Sequence, residues 1–196
     1  MPLSFWVAMK PLSVRFVSAS ATLTSFGQMA GLVGIAMFAA VLMLSGRYKF
    51  LEKYFGGLNR MYFAHHFFGG LAFILILFHP LFLAGTYLLN SVRSAAVFLL
   101  PSSNWPVNFG IISLIFLIIF LVLTFFIKLP YEKWKFTHQH LGLVFFLAGL
   151  HSFLIQSDIS RSVPLRMYVL TLATVSIFVY GYRTLLGSVL VRRFRY

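Results

Sequence analysis

The stretch "LNRMYFAHHFFGGLAFILILFHPLF" (58–82) is apolar enough to cross a bilayer, yet it carries three histidines. Ionisable residues inside a membrane are costly, so each one asks for a reason. A second stretch repeats the pattern: "YEKWKFTHQHLGLVFFLAGLHSF" (131–153). Each opens on a close His pair and ends near a third His. His65, His66, His79, His138, His140 and His151 are all the histidines of the chain.

Composition sets the medium in which these histidines work. Of 196 residues, 60% are apolar and 10% charged, and the mean hydropathy is +0.91. That is the composition of a membrane protein. Apolar runs long enough to span read at about 28–45, 62–88, 107–127, 138–156 and 166–187. These are five spans of an all-α, polytopic transmembrane helical bundle. One domain, 28–196, is enough, preceded by a segment 1–27. That segment contains "PLSFWVAMKPLSVRFVSASATL" (2–23), where Lys10, Pro11 and Arg15 interrupt any clean span. It reads as an interfacial helix or an incomplete first helix, and not as a signal peptide.

The net charge of +13 reads as topology rather than as nucleic-acid binding. Arg47, Lys49, Lys53 and Arg60 fall between the first two spans, and Lys128, Lys133 and Lys135 between the third and fourth. Arg192, Arg193 and Arg195 end the sequence. The positive-inside rule puts these loops and the C-terminus in the cytoplasm. Both His-bearing helices then run from inside to outside, and the chain is expected in a bacterial inner membrane with lipid as its surroundings. There is no Cys, which excludes iron–sulfur clusters and thiolate-ligated haem. Glu52, Glu132 and Asp158, the three acids, lie in loops, so no intramembrane carboxylate is available to a proton or cation pump.

Spacing decides which histidines share a face. His65 and His79 are 14 apart, about 40° short of four full turns and about 21 Å of rise. His66 to His79 misses by about 140°. On the second segment, His140 to His151 is nearly three full turns, with about 16.5 Å of rise. His138 to His151 matches the angle poorly but rises about 19.5 Å, close to the first pair. Periodicity favours His140 and height favours His138.

Two facing helices, each with an inner and an outer His, would form two stacked sites with one imidazole from each helix. Imidazole is a normal axial ligand of haem iron, and level sites would select His138. The helix would then need an irregularity, at Gly142 or Gly149 or as a π-bulge. A lone intramembrane His is often just an interhelical hydrogen-bond partner, but four at matched heights ask for more. A zinc or iron ion would want clustered ligands instead. His66 and His140 read as packing or supporting residues. Gly69, Gly70, Ala72, Gly142, Ala148 and Gly149 would let a flat macrocycle or a neighbouring helix approach. Phe73, Phe145 and Phe146 would fill the space between the sites.

At these residues the sequence resembles the transmembrane haem domains of the ferric reductase and NADPH oxidase superfamily, the bacterial NADPH oxidase-like members above all. The resemblance rests on "LNR" followed by "YFAH" at 58–65 with His79 fourteen residues on, and on "YEKWKFTH" at 131–138 with His151 thirteen residues on. It covers about 28–196. It implies six helices around two b haems. His65 and His138 would ligate the inner iron, and His79 and His151 the outer one. Arg60 would meet a haem propionate or a flavin domain.

It also implies an oxidoreductase that takes electrons from a cytosolic FAD- and NAD(P)H-binding reductase domain or subunit. The acceptor would be extracytoplasmic, either O₂, giving superoxide, or ferric iron. No Gly-rich dinucleotide motif is present, so flavin and nicotinamide belong to a missing domain or a partner. The animal-type oxidases carry a further outer His where this chain has Leu83, and an outer Arg on the preceding span where it has Gln28. Two other readings stay open: a haem-binding membrane subunit of a separate reductase, and a non-haem transporter or scaffold.

Overall fold

A computed structural model describes residues 2–186 as helices and short turns. Arg192, Arg193 and Arg195 lie outside the described residues. The elements in chain order are α1 (Pro2–Met9), α2 (Leu12–Arg15), α3 (Ala19–Ser45), α4 (Lys49–Phe55), α5 (Leu58–Leu88) and α6 (Val92–Phe98). Then come α7 (Trp105–Phe125), α8 (Tyr131–Gln139), α9 (Leu141–Leu154), α10 (Asp158–Arg161) and α11 (Val163–Gly181), which ends in a π-helical turn, Tyr182–Leu186. Among the described residues there is no strand. The chain is an all-α, integral membrane protein: Ala19–Ser45, Leu58–Leu88, Trp105–Phe125 and Val163–Thr184 are each long and apolar enough to span.

Two span boundaries differ from the hydropathy reading. The first span begins at Ala19, not at 28, because Ser18 caps it by accepting from the Ala21 N–H. A boundary after residue 27 therefore falls inside a continuous helix. The span expected at 138–156 is two helices, α8 and α9, broken at His140. The described residues hold four long apolar helices and this broken pair, in keeping with the all-α polytopic bundle expected.

Lipid explains the surface. Phe63, Phe78, Leu81, Ile115 and Phe178 are exposed on the long helices, which in water would be an aggregation hazard. Inside, α3 and α11 meet through Ser176, whose hydroxyl donates to the Ala39 carbonyl at 3.2 Å. The Ser113 hydroxyl of α7 donates to the Val144 carbonyl of α9 at 2.9 Å. Such interhelical bonds are worth about 0.6 kcal/mol each in a membrane, so they set register more than stability. Phe38, Leu42, Leu117, Leu141, Val144 and Phe145 form the central apolar core.

The bundle is two tight helix pairs. α3 packs along α5, and α7 along α9. The α3–α5 seam is made of glycines on α3. A Cβ on Gly27 would strike the Leu83 side chain at 2.8 Å, and one on Gly34 would strike Ile76 at 2.9 Å. "GQMAG" (27–31) is a small-xxx-small pattern of the kind that lets membrane helices approach. The α4–α5 turn fixes where α5 begins. Gly56 (φ 75°) and Gly57 (φ 119°) occupy left-handed backbone, and the Gly57 N–H closes back on the Glu52 carbonyl at 2.8 Å. Only glycine takes those angles without strain.

Candidate functional site

The two His-bearing helices meet at two levels. His65 of α5 lies beside His138 of α8, ring centroids 6.1 Å apart. His79 of α5 lies beside His151 of α9, centroids 6.2 Å apart. Along α5 the levels are separated by about 21 Å, well inside a hydrocarbon core of about 30 Å. The break at His140 brings His138 and His151 to the same side despite their poor angular match. There the His140 N–H bonds the Thr137 carbonyl at 3.2 Å, an i−3 contact of the tighter helical type. The irregularity expected at Gly142, at Gly149 or as a π-bulge is this turn. Gly142 instead packs against the Tyr180 ring.

Three of the four rings are oriented by backbone carbonyls on the neighbouring helices. His65 Nδ1 lies 3.2 Å from the Val41 carbonyl of α3. His79 Nδ1 lies 2.8 Å from the Gly27 carbonyl of α3, and His151 Nδ1 lies 2.7 Å from the Pro106 carbonyl of α7. A carbonyl accepts, so each Nδ1 carries the proton, and Nε2 is left as a lone-pair donor. This is the arrangement by which histidine ligands are held and their basicity raised.

His79 and His151 share one further device. Gly31 stands one helical turn beyond Gly27, and Gly110 one turn beyond Pro106. A Cβ on either would come within 2.7 Å of His79 Nδ1 or 2.8 Å of His151 Nδ1. The histidine spacing points to neither glycine, although the small-residue pattern at 27–31 marks one of them.

What these rings can hold follows from counting donors. Among the described residues no three His, Asp or Glu side chains gather into a metal-binding group. Two imidazoles are too few for a tetrahedral zinc site, but two are what a porphyrin iron needs for its axial positions. With ring centroids 6.1 and 6.2 Å apart, the two imidazoles of each pair would suit holding such a group between them.

The other singled-out residues fall away from these pairs or beside them. His66 is exposed, 5.8 Å from His65. His140 turns back on its own helix, Nδ1 2.7 Å from the Phe136 carbonyl. Arg60 is exposed in the first turn of α5, its guanidinium over Gly56. Phe145 is fully buried and edge-on to Phe38, centroids 5.2 Å apart. Phe146 is 42% exposed and faces outward rather than into the centre.

The N-terminal segment packs, through Trp6 and Arg15, against the end of the bundle where Gly27 and His79 lie. Trp6 is 1% exposed and Arg15 5%. Arg15 donates to Asp158 at 3.1 Å and to the Trp6 carbonyl at 2.6 Å. It also donates to the Gln28 side chain at 3.3 Å and lies 3.5 Å over the Trp6 ring. Gln28 therefore has an arginine beside it, supplied from 13 residues upstream. Asp158, expected in a loop, opens α10 and is its buried partner.

The family model described as the ferric reductase like transmembrane component matches residues 30–149. That range holds both pairs but for His151. No curated protein matches the chain.

Proposed function

We propose, from the premise that the chain belongs to the family of ferric reductase like transmembrane components, that it conducts electrons across the membrane through two b haems. When bound, the haems supply one-electron carriers at two depths. His65 and His138 hold the inner iron, and His79 and His151 the outer one. The Val41, Gly27 and Pro106 carbonyls keep three of these rings in the tautomer that presents Nε2. The apolar core around Phe38, Phe73 and Phe145 keeps water out between the levels.

The donor is a flavin reductase, as a domain or separate subunit carrying FAD and NAD(P)H, on the cytoplasmic side where the basic loops lie. The acceptor is a small extracytoplasmic oxidant, O₂ or a ferric complex. Arg60, at the mouth of the inner level, meets a haem propionate or the reductase.

The observation that carries this reading is the pair of His–His contacts, 6.1 and 6.2 Å between centroids. Purified protein should bind two haems per chain, with low-spin bis-imidazole spectra. A pyridine haemochrome assay returning one haem or none would overturn the proposal.

A further inference from the structure

His138 differs from the other three in how it is held. Its Nδ1 is buried and, among the described residues, has no hydrogen-bond partner. The ring is instead stacked on Trp134, one turn earlier on α8, with centroids 5.2 Å apart and planes 13° from parallel. The stack continues outward: Trp134 lies 5.9 Å from Tyr131, at 28°, and Tyr131 is 65% exposed. Residues 131, 134 and 138 fall at i, i+3 and i+7, the spacing that superposes side chains on one helix face.

We propose that Trp134 is the positioning residue of the inner level. It orients His138 by ring stacking where the other three histidines use a carbonyl. The inference rests on the haem reading above. An unpartnered ring on a helix of only nine residues, next to the break at His140, would otherwise be free to turn about its Cβ–Cγ bond. The flat contact with an indole removes that freedom. A role for Trp134 as an interfacial anchor alone would leave His138 indifferent to substitution at 134.

Two measurements test it on the full chain, using Trp134→Leu and Trp134→Phe. The first needs no haem: NMR of histidine-labelled protein reads the upfield ring-current shift of the His138 ring protons. That shift should be present in the parent, lost in Trp134→Leu and partly kept in Trp134→Phe. The second reads the haem-loaded protein by electron paramagnetic resonance and redox titration. Trp134→Leu should lose or broaden the low-spin signal of the His65/His138 level and move its midpoint potential. Trp134→Phe should restore both, and the His79/His151 level should stay unchanged as the internal control of folding.

An inner-level signal and potential unchanged in Trp134→Leu would overturn the inference. So would loss of both levels in the two variants alike. A parent protein that takes up no haem would sink the haem reading instead, and the ring-current arm alone would then uphold or overturn the stack.

Discussion

The ring of His151 lies against Gly110, so close that a Cβ there would come within 2.8 Å of its Nδ1. The Pro106 carbonyl, one turn earlier on the same helix, lies 2.7 Å from that nitrogen. His79 stands in the same relation to Gly31 and the Gly27 carbonyl. A glycine and the carbonyl four residues before it thus make a flat seat for each outer imidazole. The apolar helices α7 and α3 provide the seats.

Gly110→Ala and Gly31→Ala should therefore displace the outer rings. The added methyl must push away the same ring edge whose Nδ1 bonds the carbonyl one turn earlier, so the carbonyl contact is lost as the ring moves. The haem content of either variant should fall from two per chain toward one. Gly149→Ala is the control, since its added Cβ would meet only Ala173, at 4.0 Å. The pyridine haemochrome assay reads all three.

His140 and His138 should behave in opposite ways. His140 faces its own helix and the Phe136 and Phe120 rings, whereas His138 faces His65. His140→Ala is expected to retain both haems. His138→Ala and His65→Ala should lose the inner one, and His79→Ala and His151→Ala the outer one. A haem lost from His140→Ala but kept in His138→Ala would show that the seat of the inner iron is elsewhere.

The histidine geometry was legible where it depended on regular helix. Fourteen residues bring His65 and His79 back to one face of α5, which runs unbroken from Leu58 to Leu88. On the second segment the same arithmetic favoured His140. It failed because the helix breaks there, at a residue with ordinary right-handed backbone angles (φ −68°, ψ −10°) and no glycine or proline to announce it. Hydropathy misplaced the start of α3 because "SASATLTSF" (18–26) is only mildly apolar, while the Ser18 cap is a local signal that hydropathy ignores. Arg15 and Asp158 are 143 residues apart, and nothing local in either stretch marks them as partners.

That pair should matter for stability. Arg15 and Asp158 side chains are 3% and 7% exposed. Removing one member of a buried pair strands a charge and costs roughly 3–5 kcal/mol. Asp158→Ala should accordingly melt well below the parent in detergent while keeping its haem spectrum in the cold. Arg15→Met combined with Asp158→Leu should recover much of the loss, because apolar replacement of both partners removes the desolvation penalty together with the attraction. A double variant no more stable than Asp158→Ala would contradict this account of the pair.

The same pair bears on the acceptor. Leu83 is wedged against Gly27 and brings no charge to the outer level. The Gln28 side-chain amide oxygen already accepts from Trp6 Nε1 at 3.0 Å and from Arg15 at 3.3 Å. Arg15 itself is neutralised by Asp158. A charge developing on O₂ would therefore find little preorganised help from these groups, and such help is commonly the largest single term in catalysis. Reduction should depend on driving force and access, and a ferric chelate should compete well with O₂. Reduced protein in vesicles, mixed separately with air-saturated buffer and with ferric citrate, gives the comparison by following haem reoxidation. We expect reoxidation by both, with the ferric rate rising linearly with chelate concentration. Rapid, saturable reoxidation by O₂ that yields superoxide, with none by ferric citrate, would mean that the outer end is built for oxygen after all.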